Sequence, residues 1–297
     1  MARKPAITDS AVTNIKVLDG VYPPLLYEAG FDPARPIAEA VLLQPATVAA
    51  AHARFVRAGA HVITTLTGAA NPLFLSQYSL ADRAEQINRE AAALARRAVG
   101  PKTMVFGAIG PSHLFLETDE VSLDDLRDAF RRQAAWLIEA GVDGIVLEGM
   151  SDLAEALTAL EAVRSIRALP LAACMTFQTR GESFATSCDI TPEQASLALE
   201  QGGADWIGCH GGLALTESPP LVKLLAASTS KPLWLRLDVA QPEYEDRKLV
   251  YRQTPAEFAG ILRQLAGLRV RVVGGGQGAT PEHVAALRAV VDGAQRP

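Results

Sequence analysis

Leu268-Arg-Val-Arg-Val-Val-Gly-Gly-Gly-Gln-Gly-Ala-Thr-Pro-Glu-His283 is the stretch from which the chain is best read. Val270 to Val273 is a short run rich in β-branched residues, the composition of a buried strand. Gly274, Gly275, Gly276 and Gly278 follow at once. Thr280 then stands as an N-cap and Pro281 at the first position of a helix. The chain therefore leaves a buried strand through a loop with few side chains and enters a helix N-terminus. Bare backbone N–H groups in such a loop face whatever sits at the strand end. A tight turn in which glycine only relieves strain accounts for the pattern equally well.

The same alternation runs outward through the whole chain. Strands are expected at Lys16–Asp19, Val62–Thr65, Met104–Ile109, Gly144–Leu147, Leu171–Phe177, Trp206–Cys209, Leu233–Leu237 and Val270–Val273. Helices are expected at Ala46–Ala58, Leu80–Val99, Ser122–Ala140, Asp152–Ala168, Thr191–Gln201, Pro219–Ala227, Thr254–Ala266 and Thr280–Val291. Thr191 with Gln194 and Thr254 with Glu257 form capping boxes. Ala58-Gly59, Ala140-Gly141 and Gly202-Gly203 mark helix ends. Strands that alternate with helices imply right-handed βαβ units and a parallel sheet. Eight such units in one α/β chain predict a single (β/α)8 TIM barrel over residues 1–297, with its site at the C-terminal strand ends. The long irregular stretch Val239 to Gln253 after strand seven reads as a lid or as a surface excursion.

Composition sets the remaining bounds. The chain has 297 residues, 49% hydrophobic and 21% charged, enough for a large core. A net charge of -5 and five scattered histidines give no basic stripe, so no nucleic-acid partner is expected. No apolar run is long enough for a membrane span. Met1 to Ser10 lacks the apolar core of a signal peptide. The three cysteines are not closely paired, which argues against a disulfide framework. A cytoplasmic protein acting on a small molecule is expected, and assembly, a homodimer included, stays open.

The strand ends carry the candidate site. Asp19 places a carboxylate after strand one. Thr65 and Thr67 place hydroxyls after strand two. Glu148 follows the apolar run Gly144 to Leu147, where packing has no use for an acid. Cys209 and His210 end strand six, and adjacent strand residues point to opposite faces, so at most one of them faces the mouth. Asp238 ends strand seven, and Gly276 and Gln277 lie in the loop after strand eight.

In order, these motifs resemble the homocysteine S-methyltransferase family. Gly274-Gly275 and Thr280-Pro281-Glu282-His283 are similar to its Gly-Gly-Cys-Cys-Gly-Thr-x-Pro-x-His motif, with Gly276 and Gln277 in place of the two cysteines. Leu18-Asp19-Gly20 matches its opening motif, after which Val21-Tyr22-Pro23-Pro24 departs from it. Thr65, Thr67, Ala70 and Asn71 match after strand two, where Leu66 and Gly68 replace Asn and Phe. Gly107 with Gly110-Pro111, Met175-Thr176-Phe177, and Tyr251 with Thr254-Pro255 and Phe258-Ala259 match as well. The resemblance implies that Glu148 takes the amino group of an amino-acid substrate. It implies a zinc held by three cysteines whose positions are Gly211, Gly276 and Gln277 here, so zinc is not expected as a cofactor.

Three functions are consistent with these residues. In the first, an enzyme of methyl or one-carbon transfer binds a small amino acid or quaternary ammonium compound. Its substrate-binding residues are Asp19, Thr65, Glu148, Asp238, Gly276 and Gln277. Glu148 and His210 are its catalytic residues, with His210 as general acid or base. In the second, the Gly274–Gly278 loop binds a phosphorylated ligand for other chemistry. In the third, the chain is a non-catalytic ligand-binding relative.

Overall fold

A computed structural model describes residues 14–114, 121–239, 243–245, 248–251 and 253–294. The stretch Met1 to Ser10 lies outside them, as do Ala240 and five other positions of the expected irregular stretch Val239–Gln253. Eight parallel strands follow one another around a barrel: β1 Lys16–Val17, β2 Val62–Thr64, β3 Met104–Ile109, β4 Gly144–Met150, β5 Leu171–Met175, β6 Trp206–His210, β7 Leu233–Leu237 and β8 Val270–Gly275. Each pairs with its neighbours in sequence, and β1 pairs with β8. A parallel bridge between Leu18 and Val62 closes the ring.

A helix follows each strand: α1 Pro45–Arg57, α2 Ala84–Ala98, α3 Leu123–Glu139, α4 Leu153–Arg164, α5 Pro192–Gln201, α6 Ser218–Ser228, α7 Pro255–Gly260 and α8 Pro281–Ala294. α2 shows why they lie on the sheet: Ala84, Ile87, Asn88, Ala91, Ala92 and Ala95 are buried at helical spacing along one face. The expected capping boxes form at Thr191 with Gln194 and at Thr254 with Glu257. The expected glycine ends form as well. Gly59 takes φ of 98°, and Gly59 and Ala60 donate back to Val56 and Phe55.

Four parts differ from expectation. Pro23-Pro24 opens a short helix, Pro23–Glu28, because proline suits the first helical turn. Gln178–Arg180 and Ser183–Ala185 form an antiparallel hairpin after β5. In the irregular stretch after β7, Glu243–Glu245 pairs antiparallel with Lys248–Val250. α4 stops at Arg164, short of Ala168.

Inward-facing residues fill the barrel in layers. Leu18, Val62, Phe106, Val146, Trp234 and Val272 belong to one interior cluster. Phe106, Trp206 and Trp234 pack with ring centroids 4.8 to 6.2 Å apart. That aromatic floor needs bare backbone beside it. A Cβ at Gly208 would lie 1.6 Å from the Trp234 carbonyl oxygen. Gly208→Ala should therefore cost about 3 kcal/mol or more, or abolish folding, in urea denaturation. Gly293→Ala in α8, where an added Cβ meets nothing within 4 Å, should change stability by less than about 1 kcal/mol.

Candidate active site

Strand alternation sets a polar layer directly above the aromatic floor. Two residues beyond Val62, Val146, Gly208 and Trp234, on the same faces, come Thr64, Glu148, His210 and Arg236. Arg236 is the centre of this layer, with its side chain only 3% exposed. Its guanidinium donates to Asp19 Oδ1 at 2.8 Å, to Thr64 Oγ1 at 3.1 Å and to the Gly275 carbonyl at 3.2 Å. Its Nε lies 3.6 Å from Glu148 Oε2. Asp19 is fully buried and also accepts from the Thr64 N–H at 2.7 Å and from the Tyr22 hydroxyl. Burial pushes the Asp19 carboxyl up, against the pull of Arg236, Tyr22 and the Thr64 N–H. Burial and the adjacent Asp19 carboxylate push the Tyr22 hydroxyl well above its ordinary range.

Glu148 is the partly open member, with its side chain 17% exposed. Its Oε2 lies 3.4 Å from His210 Nδ1. Burial raises the Glu148 carboxyl, but His210 and Arg236 together outweigh it and hold the group below its ordinary value. Gly68 makes room for it, since a Cβ there would lie 3.1 Å from Glu148 Oε1. These groups line a cavity of about 180 Å³, bounded also by Tyr22, Pro23, Ile37, Thr65, Leu66 and Ala69.

The expected site thus divides. Asp19, Glu148 and His210 come together, but Asp19 is no open carboxylate, because its oxygens are taken up by Arg236, Tyr22 and Thr64. Thr65 lines the cavity with its hydroxyl already spent. It accepts from the Ala108 N–H at 3.0 Å and pairs with Thr67 Oγ1 at 2.6 Å. Thr67 gives its own proton to the Ala108 carbonyl, so the Thr65 proton goes to Thr67 and none is left for a substrate carboxylate. Asp238, Gly276 and Gln277 are not among the cavity-lining residues. The Gln277 side chain is exposed and donates to the Tyr251 hydroxyl at 3.2 Å.

Asp238 accepts the N–H groups of Gly212 at 2.9 Å and Gln277 at 2.7 Å. Cys209 packs in the main core cluster, away from the mouth, and burial pushes its thiol up to about 12. Sequence reasoning missed Arg236, Tyr22 and Thr64. The signal for Arg236 is a lone cation in the otherwise apolar run Leu233-Trp-Leu-Arg-Leu237, two residues beyond a core tryptophan.

The family profile described as homocysteine S-methyltransferase matches residues 16–291. The chain belongs to the homocysteine S-methyltransferase family. It is 26% identical over 266 residues to methionine synthase of Mycobacterium tuberculosis, a match that covers 86% of this chain and 22% of that protein. The chain thus spans about a fifth of the length of the methionine synthases it matches. It is 28% identical over 268 residues to S-methylmethionine–homocysteine S-methyltransferase BHMT2 of Mus musculus, covering 84% of this chain and 70% of that one. In fold it superposes on the metallated form of the homocysteine methyltransferase MmuM from Escherichia coli with a TM-score of 0.78. That match has 20% identity and covers 94% of this chain and 96% of the other.

Among the described residues, the positions that the family resemblance assigns to zinc carry no thiolate donors. Glycines stand at positions 211 and 276 and an amide at 277, and the neighbouring thiol of Cys209 is turned into the core. Among the described residues no three His, Cys, Asp or Glu converge as metal ligands, and no helix is long and apolar enough to cross a membrane.

Because Glu148 is held below its ordinary carboxyl value, its ionised form stabilises the fold at pH values above the unfolded value of 4.5. That contribution disappears as the pH falls through the lower, folded value. Glu148→Gln removes it, so the melting temperature of the variant should fall less steeply than that of wild type below pH 4.5 in a thermal scan series.

Proposed function

We propose that this chain transfers a methyl group to a small amino acid held in the mouth cavity, using His210 rather than zinc to activate the acceptor. The observation that carries this reading is the charge balance around the cavity. Asp19 and Glu148 supply two negative charges and Arg236 one positive, which leaves one negative charge at the partly exposed Glu148. One substrate ammonium matches it. A cavity of about 180 Å³ suits a small amino acid and is below the size usual for larger ligands. Family membership and the name of the mouse relative favour a thiol acceptor such as homocysteine and a methylsulfonium donor.

A thiol of ordinary pKa is only a few per cent ionised at neutral pH, so a metal-free site needs a base. His210 lies beside Glu148, with Nδ1 3.4 Å from its carboxylate, and is the base at hand in the cavity. The acceptor S–H proton passes to His210, and the sulfur lone pair forms the new S–CH3 bond. The bond from the methyl to the donor sulfur breaks, its electron pair stays on that sulfur, and the donor leaves neutral. The phosphate reading has less support. Gly276 N–H already donates to the Leu237 carbonyl at 2.6 Å, and Gln277 N–H to Asp238. A non-catalytic role leaves the His210–Glu148 pair at the cavity without a task.

Calorimetry and a methyl-transfer assay test the proposal against a panel of amino acids, betaines, methylsulfonium donors and sugar phosphates. An amino acid should bind to wild type, and Glu148→Gln should weaken it by about 2–5 kcal/mol. His210→Gln should keep most of the binding and lose about 100- to 10,000-fold in turnover. Binding of sugar phosphates alone, with Glu148→Gln unchanged from wild type, overturns the reading.

A further inference from the structure

We propose that Asp238 occupies the position this family reserves for its metal, as a built-in anion that staples three strand ends together and closes the position to zinc. The inference stands apart from the reaction proposed above and survives its failure.

The geometry is local and specific. By the motif resemblance, the family's three zinc-binding cysteines fall at Gly211, Gly276 and Gln277. A Cβ added at Gly276 would lie 2.2 Å from Asp238 Oδ1, well inside any contact distance. A Cβ added at Gly211 would lie 2.9 Å from Oδ1 and 3.0 Å from Oδ2. The same carboxylate therefore stands against both vacated positions at once. At the third position the backbone N–H of Gln277 donates to Oδ1 at 2.7 Å. The N–H of Gly212, next to the first position, donates to Oδ2 at 2.9 Å.

The Asp238 side chain thus faces the ends of β6 and β8 from the end of β7. A zinc held by cysteines at these positions would join the ends of β6 and β8 through the metal. Here the carboxylate joins them through two hydrogen bonds to an ionised acceptor, the stronger kind. The strand ladder runs on beyond this point, with Gly276 N–H donating to Leu237 O at 2.6 Å and Val239 N–H to Gln277 O at 2.9 Å. Asp238 is 7% exposed, so its carboxylate relies on these two N–H groups rather than on water. The two glycines and the aspartate form one interdependent set. Side chains cannot return at 211 or 276 while the carboxylate lies between them, and the carboxylate cannot leave without giving up two charge-assisted hydrogen bonds.

The test measures metal content and melting temperature after incubation with zinc and dialysis. Wild type should retain no zinc, and neither zinc nor a chelator should move its melting temperature. Asp238→Ala should melt on the order of 5 °C lower and still retain no zinc. Asp238→Asn keeps the shape but turns an N–H2 group toward an N–H donor, so it should lose a similar amount. The triple variant Gly211→Cys/Gly276→Cys/Gln277→Cys should bind zinc at least about 100-fold more weakly than the same variant carrying Asp238→Ala. The two Asp238 single variants decide the staple even where the cysteine variants do not fold. Stoichiometric zinc in wild type, an unchanged melting temperature in both single variants, or equal zinc affinity with and without Asp238 each overturns the proposal.

Discussion

The ion pair between Arg236 and Asp19, sealed at the top of the barrel core, is the contact on which the mouth depends. A buried charge is tolerated only when it is paired and its hydrogen-bonding capacity is filled. Here the filling is nearly complete. Asp19 takes donors from Arg236, Tyr22 and Thr64, and Arg236 reaches Asp19, Thr64, Gly275 and Glu148. These partners sit on or beside β1, β2, β4, β7 and β8, so one guanidinium fixes the relative positions of five strand ends. A planar fork of donors can do this where a lysine ammonium cannot. Such a cluster adds little net stability compared with apolar packing. What it does set is geometry, because every partner has one place to be.

The barrel was legible in the sequence because its period is enforced everywhere by packing. Each strand is apolar because both its faces are covered, and each helix carries a stripe that must meet the sheet. Capping boxes at Thr191 and Thr254 and glycines after α1, α3 and α5 marked boundaries through local chemistry alone. Family membership was legible for a related reason: its motifs fall at strand ends, in order. The partners of those motifs were harder to read. Asp19 resembled an open carboxylate because its cation, Arg236, lies more than two hundred residues away in sequence. Thr65 resembled a donor because nothing in the sequence says that Ala108 and Thr67 already use its hydroxyl. The division of the mouth into a cavity lined by Glu148 and a latch around Asp238 is likewise a matter of side-chain direction.

These two halves treat charge differently, and the proposed chemistry rests on the difference. At the latch, the carboxylate of Asp238 is answered by two backbone N–H groups, which turn the glycine-rich loop's capacity for anions inward onto the chain's own acid. The loop after β8 therefore has an occupant, and its glycines serve close approach rather than an external phosphate. At the cavity, one arginine faces two acids. Asp19, with three kinds of donor and no exposure, takes most of that cation's attention. Glu148 receives only its more distant Nε and the neighbouring His210 ring. The less fully paired carboxylate, the histidine and the open volume thus coincide at one place, beside Glu148 and His210. A reaction that brings in an ammonium group and releases a proton has its requirements met there and nowhere else among the described mouth residues.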